Sequence, residues 1–230
     1  MLLSIAAALV LAQAAPAPDL APPAAGAVHV YLVRHGQAFS NLDPAPDLPP
    51  EKLDRLTPLG EEQARQAGRV LAGRGVDLVL SSPAGRARET AALLRKATGA
   101  AQLRVDERLR PIDLGRAPSG AMLGWDERIA EWKAGRDPVP AGGESLDQVG
   151  QRVLAAARQE RRAGPGRSIL LVAHSDVVGP FLGAVQGVPA PQRHPFSVRN
   201  GSISLVEIGP GGAPRVVFSN RLASDFAPPP

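Results

Sequence analysis

Polar residues with the capacity for phosphoryl chemistry follow three short apolar runs of the chain. The three polar stretches are Arg34-His35-Gly36, Ser81-Ser82-Pro83 with Arg86 just beyond it, and His174-Ser175-Asp176. A neutral imidazole is a nucleophile, and a guanidinium can hold two phosphoryl oxygens with parallel hydrogen bonds. Two histidines and two arginines in such positions therefore predict a pocket that binds a dianionic phosphoryl group.

The apolar runs alternate with amphipathic stretches, which predicts strands alternating with helices. The predicted strands are Val28–Val33, Asp77–Leu80, Leu103–Val105 and Ile169–Ala173, followed by a terminal hairpin at Ile203–Ile208 and Arg215–Phe218. The predicted helices are Thr57–Gly73, Ala84–Ala97, Met122–Lys133, Ser145–Arg162 and a segment that ends near Val185. This order predicts an α/β fold, a three-layer α/β/α sandwich with a mainly parallel sheet and a small cap insertion. The polar stretches then lie beyond the carboxyl ends of strands, where such sheets bind ligands.

The composition excludes several other classes of protein. The 230 residues carry 26 Lys and Arg against 22 Asp and Glu, a net charge of +4, with charges of both signs interspersed. This balance and an aromatic content of 3% argue against a nucleic-acid-binding protein, which needs basic blocks or exposed stacking rings. The absence of cysteine excludes disulfides, thiolate metal sites and cysteine nucleophiles.

The N-terminus has the pattern of a secretory signal. Leu2–Leu11 is apolar, and Ala12-Gln13-Ala14 has the small-residue spacing of a cleavage site. We therefore predict a signal peptide at residues 1–14, a flexible Pro/Ala-rich segment at 15–27, a catalytic domain at 28–220 and a tail at 221–230. The expected location is periplasmic or secreted, with no membrane span after cleavage; a cytoplasmic chain is the alternative.

Five stretches in order resemble the motifs of the histidine phosphatase superfamily, whose fold is that of phosphoglycerate mutase. They are Arg34-His35-Gly36 with Asn41, residues 54–64 (DRLTPLGEEQA), residues 81–91 (SSPAGRARETA), Gly142-Gly143-Glu144-Ser145 with Arg152, and Val172-Ala173-His174. The resemblance covers residues from about Val28 to Val217 and extends through most of the predicted domain. It implies a phosphatase that forms a phosphohistidine intermediate on small phosphorylated substrates.

The resemblance also implies a role for each matching residue. His35 is expected to be the nucleophile, and Arg34, Arg86 and His174 are expected to bind the phosphoryl oxygens. Asn41 is expected to support that binding. No metal and no other cofactor is implied. The remaining histidines, His29 and His194, are expected to be a packed strand residue and a surface-loop residue, respectively.

The chain departs from the family pattern at the position of the general acid. The stretch Leu109–Gly115 aligns with a motif in which family members commonly carry a catalytic glutamate, but Pro111 occupies that position. Asp176, two residues beyond His174, is the leading replacement; Asp113 and, after it, Glu107 are alternatives. A displaced acid predicts a preference for phosphate compounds with good leaving groups, because these need least protonation.

Three other functions remain open at this stage. The chain could be a non-catalytic phosphate-binding member of the family, a phosphomutase, or a hydrolase in which His35, His174 and Asp176 bind a metal. A mutase would need a second anionic subsite, for which Arg116, Arg128, Lys133 and Arg136 supply charge.

Overall fold

A single six-stranded sheet forms the centre of the molecule. The computed structural model describes residue 20 and residues 22–164, 168–194 and 197–226. The strands are β1 (Val28–Arg34), β2 (Val76–Ser81), β3 (Gln102–Val105), β4 (Ser168–Ala173), β5 (Ile203–Ile208) and β6 (Pro214–Arg221). Their spatial order is β3-β2-β4-β1-β5-β6. The first four are mutually parallel, whereas β5 runs antiparallel to both β1 and β6, so the prediction of a mainly parallel sheet is confirmed.

Helices cover both faces of this sheet. They are α1 (Pro50–Leu53), α2 (Pro58–Leu71), α3 (Gly85–Thr98), α4 (Trp125–Lys133), α5 (Leu146–Ala163) and α6 (Ser175–Val185). Alternate residues of β1 point to opposite faces: Val30 and Leu32 join the core under α5 and α6, while Tyr31 and Val33 join the core under α2 and α3. This gives the three layers expected from the sequence, with α4 as the helix of the cap insertion.

The helix that follows the DRLT stretch begins as its sequence predicts. Thr57 is the N-cap of α2, and its hydroxyl accepts a hydrogen bond from the Gly60 amide, 3.1 Å away. Pro58 occupies the first helical position, where its missing N–H costs nothing. The start of α2 is thereby fixed close to the end of β1.

The prediction for the cap helix was wrong at its start. Met122 was expected to begin it, but α4 begins at Trp125. The Glu127 carboxylate accepts a hydrogen bond from the Gly124 amide at 3.0 Å, which caps the helix there. Met122 instead pairs with Arg116 in an isolated bridge of the preceding loop.

Parts of the predicted flexible segment and tail pack against the domain. Leu20 is buried in the core beside α2, and its carbonyl accepts a hydrogen bond from Arg74 at 3.0 Å. After β6, Phe226 packs edge-to-face on Phe218, and Asp225 pairs with Arg199 at 3.0 Å. These contacts contradict the expectation of flexibility at residue 20 and extend the packed structure to residue 226.

No helix in the described part of the chain is both long and apolar enough to cross a membrane. The predicted signal peptide at residues 1–14 lies outside the described residues, so export stays a prediction.

Candidate active site

His35 lies directly after β1 with its ring in a single tautomer. Its Nδ1 is 2.7 Å from the carbonyl oxygen of Gly36, which can only accept a hydrogen bond, so Nδ1 carries the proton. Its Nε2 is 3.1 Å from Nε of Arg86, which can only donate, so Nε2 carries the lone pair. The ring is 2% exposed. This arrangement leaves Nε2 as the nucleophilic atom.

Arg86 joins the two histidines. Its terminal nitrogen donates to Nδ1 of His174 at 3.2 Å, while its Nε donates to His35. The remaining nitrogen of the His174 ring lies 2.7 Å from the hydroxyl of Ser82, so both nitrogens of that ring are engaged. The two imidazole rings lie with centroids 5.0 Å apart at 60°. The predicted cluster of His35, Arg86 and His174 therefore forms at the carboxyl ends of β1, β2 and β4.

Asp54 holds Arg86 in place, a role that the sequence analysis did not assign. Its carboxylate accepts hydrogen bonds from the Arg86 guanidinium at 2.5 Å and from the Gly85 amide at 2.6 Å. The Gly85 amide is at the N-terminus of α3, so a negative charge there is also favoured by the helix dipole. Asp54 begins the DRLT stretch, which was the available signal.

We expect Asp54→Asn to lower kcat/KM by about 10²-fold, because the uncharged asparagine side chain cannot form the ion pair that orients Arg86. The weaker cap at α3 is expected to cost about 1 kcal/mol of stability as well. Steady-state kinetics and urea unfolding measure the two effects. The exposed Asp77→Asn serves as a matched control on β2; an equal loss in both variants would contradict the assignment.

Arg34 and Asn41 occupy different positions relative to the cluster. One terminal nitrogen of Arg34 donates to the Val198 carbonyl at 2.6 Å, while its Nε is buried with no hydrogen-bond acceptor among the described residues. A buried donor of this kind is available to an anionic ligand. Asn41 is exposed, and Asn200 connects it to the cluster by donating to both the Asn41 amide oxygen (3.3 Å) and the His35 carbonyl (3.0 Å). Binding of phosphate by Asn41 stays a prediction.

Asn200 was not identified from the sequence, because it follows β4 by a long connection and belongs to no motif. Thr90, by contrast, lies in the SSP motif, and its hydroxyl accepts a hydrogen bond from the Gly36 amide at 3.1 Å. Together these two residues hold both polar groups of the peptide that joins His35 to Gly36.

Two glycines of separate motifs pack backbone against backbone beside His35. A Cβ on Gly36 would lie 2.1 Å from the Gly60 carbonyl oxygen, and a Cβ on Gly60 would lie 2.0 Å from the Gln37 carbonyl oxygen. Neither backbone atom can move aside without displacing α2 or the loop after His35. The close approach explains physically why both motifs contain glycine.

Burial keeps both imidazoles neutral. Desolvation, together with the charges of Arg86 and Arg34, lowers the pKa of His35 to about 3, against the hydrogen bond to the Gly36 carbonyl, which raises it. Desolvation, followed by the neighbouring His35 and Arg86, likewise holds the pKa of His174 well below its usual value. His35 is therefore unprotonated, and hence nucleophilic, throughout the neutral range.

The same shift predicts a loss of stability in acid. In the unfolded chain His35 binds a proton near pH 6.5, but in the folded chain it does so only near pH 3. Between these values the unfolded state holds more protons, so the free energy of unfolding falls as the pH drops. The raised pKa of Asp176 acts in the opposite direction. We expect the free energy of unfolding, measured with urea, to fall less between about pH 7 and about pH 5 in His35→Gln than in the native chain. An equal fall in the two chains would contradict the pKa shift of His35.

Of the proposed acids, Asp176 lies nearest to the cluster. It is in the first turn of α6, two residues after His174, and its carboxylate accepts a hydrogen bond from the Ile112 amide at 2.7 Å. Ile112 follows Pro111, so Asp176 reaches the segment where the family glutamate would stand. Burial raises the pKa of Asp176, against the lowering effects of its hydrogen bonds and of Arg86 and Arg152. A raised pKa suits a group that must carry a proton near neutral pH.

The alternative acids face elsewhere. Asp113 is exposed, and its carboxylate accepts a hydrogen bond from the Gly115 amide of its own loop at 3.0 Å. Glu107 is exposed in a short 3-10 helix at Glu107–Leu109. Neither makes a hydrogen bond to His35, Arg86 or His174.

The GGES…R motif acts through the segment that carries Pro111. Arg152 donates to Glu144 at 2.9 Å and to the carbonyls of Arg108, Arg110 (2.9 Å) and Pro111 (3.3 Å). Glu144 thereby orients Arg152, which holds the segment against Asp176.

The two remaining histidines lie apart from the cluster. His29 is buried on β1 and pairs with Glu207 at 3.4 Å, as expected of a packed strand residue. His194 was expected on an exposed loop but is half-buried, because its ring stacks on Trp132 with centroids 4.6 Å apart. Within the described ranges, no three His, Asp or Glu side chains are grouped as metal ligands.

Comparison with known proteins agrees with this geometry. A family model described as "Histidine phosphatase superfamily (branch 1)" matches residues 30–221. A Salmonella paratyphi B protein named "Probable phosphoglycerate mutase GpmB" is 31% identical over 188 residues, covering 78% of this chain and 85% of that protein.

Solved structures show the same fold. A mycobacterial glucosyl-3-phosphoglycerate phosphatase in complex with VO3 is 26% identical, with a TM-score of 0.65 over 84% of this chain and 98% of its own. A phosphoserine phosphatase from Entamoeba histolytica, solved with 3-phosphoglyceric acid, has a TM-score of 0.68 at 20% identity, covering 84% and 97% of the two chains. At that identity the second comparison concerns the fold alone.

Proposed function

Because the chain belongs to the histidine phosphatase superfamily, we propose that it is a phosphatase that hydrolyses phosphate monoesters through a phosphohistidine on His35. The observation that carries the proposal is the state of that ring: Nδ1 donates to the Gly36 carbonyl, and the Nε2 lone pair faces the Arg86 guanidinium. A phosphoryl group bound by Arg86 would lie against Nε2.

In the first step, the Nε2 lone pair attacks phosphorus and the ester P–O bond breaks. The leaving oxygen keeps the electron pair of that bond and takes a proton from the Asp176 carboxyl. The phosphorylated ring is cationic, and the hydrogen bond from Nδ1 to the Gly36 carbonyl stabilises it. Arg34 and Arg86 offset the charge on the phosphoryl oxygens.

In the second step, water attacks phosphorus and gives a proton to the Asp176 carboxylate. The N–P bond breaks, its electron pair returns to Nε2, and inorganic phosphate leaves. The site is then restored, with His35 neutral and Asp176 protonated.

The contacts of the cationic side chains in the cap insertion favour hydrolysis over a mutase reaction. Three of the cations that could form a second anionic subsite are engaged elsewhere. Arg128 is buried and donates to the carbonyls of Pro138 (3.2 Å) and Glu144 (2.8 Å). Arg136 pairs with Glu131 at 2.7 Å, and Arg116 donates to the Gly120 carbonyl at 2.9 Å.

A mutase remains the second candidate, because the Salmonella relative is named as one. The products formed from 3-phosphoglycerate in the presence of 2,3-bisphosphoglycerate distinguish a phosphatase from a mutase. A phosphatase releases inorganic phosphate, whereas a mutase forms 2-phosphoglycerate without net release.

Trapping the intermediate tests the proposal directly. The chain is mixed with a phosphate monoester, quenched in alkali and digested, and the peptide that carries His35 is analysed by mass spectrometry. We expect an acid-labile, alkali-stable phosphate on that peptide, formed equally with and without EDTA. A chain that binds phosphate but forms no such adduct would be the non-catalytic alternative, and a requirement for metal would favour the metal hydrolase.

A further inference from the structure

A cavity of about 320 Å³ opens beside the proposed general acid. Ser175 and Asp176, the two residues after His174, form the wall nearest the cluster. The Asp176 charge interacts with Arg34 and with Arg86, which places this wall next to the phosphoryl-binding groups. Asp176 therefore lies in the cavity wall and also within range of the charges of Arg34 and Arg86, although His35, Arg86 and His174 do not themselves line the cavity.

Most of the remaining wall is apolar. Trp125 and Ile129 lie one turn apart on α4, Leu146 begins α5, and Pro180 lies on α6. Trp125, one of the two tryptophans of the chain, is 44% exposed, so much of its ring surface has no protein neighbour. An exposed aromatic surface within a concave wall is typical of a site for an apolar ligand group.

The charged groups of the wall do not favour an anion. Arg193 is almost buried and pairs with Asp147 at 2.8 Å, so its charge is already balanced. Burial, and then Lys133, lowers the pKa of His194, so that ring is uncharged near neutral pH. Asp176 itself would repel a second carboxylate or phosphate when ionised. Among the residues that line the cavity, a charged leaving group such as glycerate would therefore find no unpaired cation; Lys133 acts on His194 but does not line the cavity.

The cavity wall on α4 is held rigidly. Arg128 lies over the Trp132 ring, 4.9 Å from its centroid, and the indole nitrogen of Trp132 donates to Asp137 at 3.1 Å. Asp137 in turn accepts a hydrogen bond from the Leu146 amide at 2.8 Å. These bonds connect α4 to the start of α5, so the cavity exists before a ligand binds.

We infer that this cavity binds the organic group of the substrate, and that the substrate is the monophosphate of an uncharged, apolar, ring-containing alcohol or phenol. The inference rests on the proposed function, because Asp176 must lie beside the oxygen that joins phosphorus to the leaving group in order to protonate it. A group that extends past Asp176, away from the histidines, enters the cavity between Trp125 and Pro180.

Binding of phosphonates tests the inference without requiring turnover. We expect benzylphosphonate to bind about 10-fold more tightly than methylphosphonate by calorimetry, since a ring in an apolar pocket contributes on this scale. Phosphonoacetate, which carries a carboxylate of similar reach, is expected to gain nothing over methylphosphonate. Equal affinity for the benzyl and methyl compounds, or a gain with phosphonoacetate, would overturn the inference.

Variants of Trp125 test whether the preference for benzylphosphonate arises in this cavity. Trp125→Ala is expected to remove most of the benzyl preference and Trp125→Phe to retain it. Met122→Ala is the matched control, because Met122 is 62% exposed in the same insertion and does not line the cavity. A benzyl preference that survives in Trp125→Ala would count against the site.

The phosphonate binding series tests the pocket, and the phosphohistidine assay tests the phosphatase, so either proposal can be overturned without the other. A phosphorylated His35 with no benzyl preference leaves the phosphatase in place and overturns the pocket. A benzyl preference without phosphorylation overturns the phosphatase while retaining the pocket.

Discussion

Replacing His35 with alanine is expected to reduce turnover of every phosphate monoester by about 10⁴-fold or more. The reason is geometric: among the described residues, His35 is the ring whose lone pair faces Arg86 while its other nitrogen is fixed by a main-chain carbonyl. The His174 ring is not placed to form the same bond to phosphorus, because its Nε2 lies against the Ser82 hydroxyl. Inorganic phosphate release measures the loss.

Phosphate binding and a second histidine provide the controls for this experiment. Vanadate or phosphate binding is expected to persist in His35→Ala, because Arg34 and Arg86 remain. His29→Gln alters another buried ring of β1 without touching the cluster and is expected to leave kcat unchanged. Full activity in His35→Ala would rule out a phosphohistidine at this position.

The second large effect is expected at Asp176, and its size should depend on the leaving group. Asp176→Asn removes the proton donor, so turnover of an alkyl phosphate such as benzyl phosphate is expected to fall by about 10²- to 10³-fold. Turnover of p-nitrophenyl phosphate is expected to fall by less than about 10-fold, because nitrophenolate leaves without protonation. The ratio of the two kcat values measures the effect, since a general loss of structure would lower both equally.

Asp113→Asn is the matched control, because the sequence alone left Asp113 open as an acid. Its carboxylate is exposed and bound within its own loop, so neither substrate is expected to be affected by more than about 2-fold. A selective loss of alkyl phosphate turnover in Asp113→Asn, with Asp176→Asn unaffected, would reverse the assignment. Direct comparison of the native chain on the two substrates also tests whether good leaving groups are preferred.

The layers of the fold follow from local patterns in the chain. The apolar run of β1 and the cap at Thr57 depend on neighbouring residues, so sequence alone predicts them. The cap insertion was less predictable: the apolar Met122 suggested an earlier helix start, whereas the Gly124–Glu127 contact determines it. Leu20 illustrates another limit, because its burial depends on a surface beside α2 that a local pattern does not contain.

The residue types that meet at the site can be predicted from the chain alone, because strand ends bring Arg34, His35 and His174 to one edge of a parallel sheet. Only the tertiary structure shows the tautomer of His35, the pKa shifts of both histidines and the position of the Asp176 carboxylate against the segment that carries Pro111. Each of these depends on atoms far apart in the chain: Arg86 against His35, and the Ile112 amide against Asp176. Hydrogen bonding and desolvation act over a few ångströms in space, and separation along the chain does not reveal that distance.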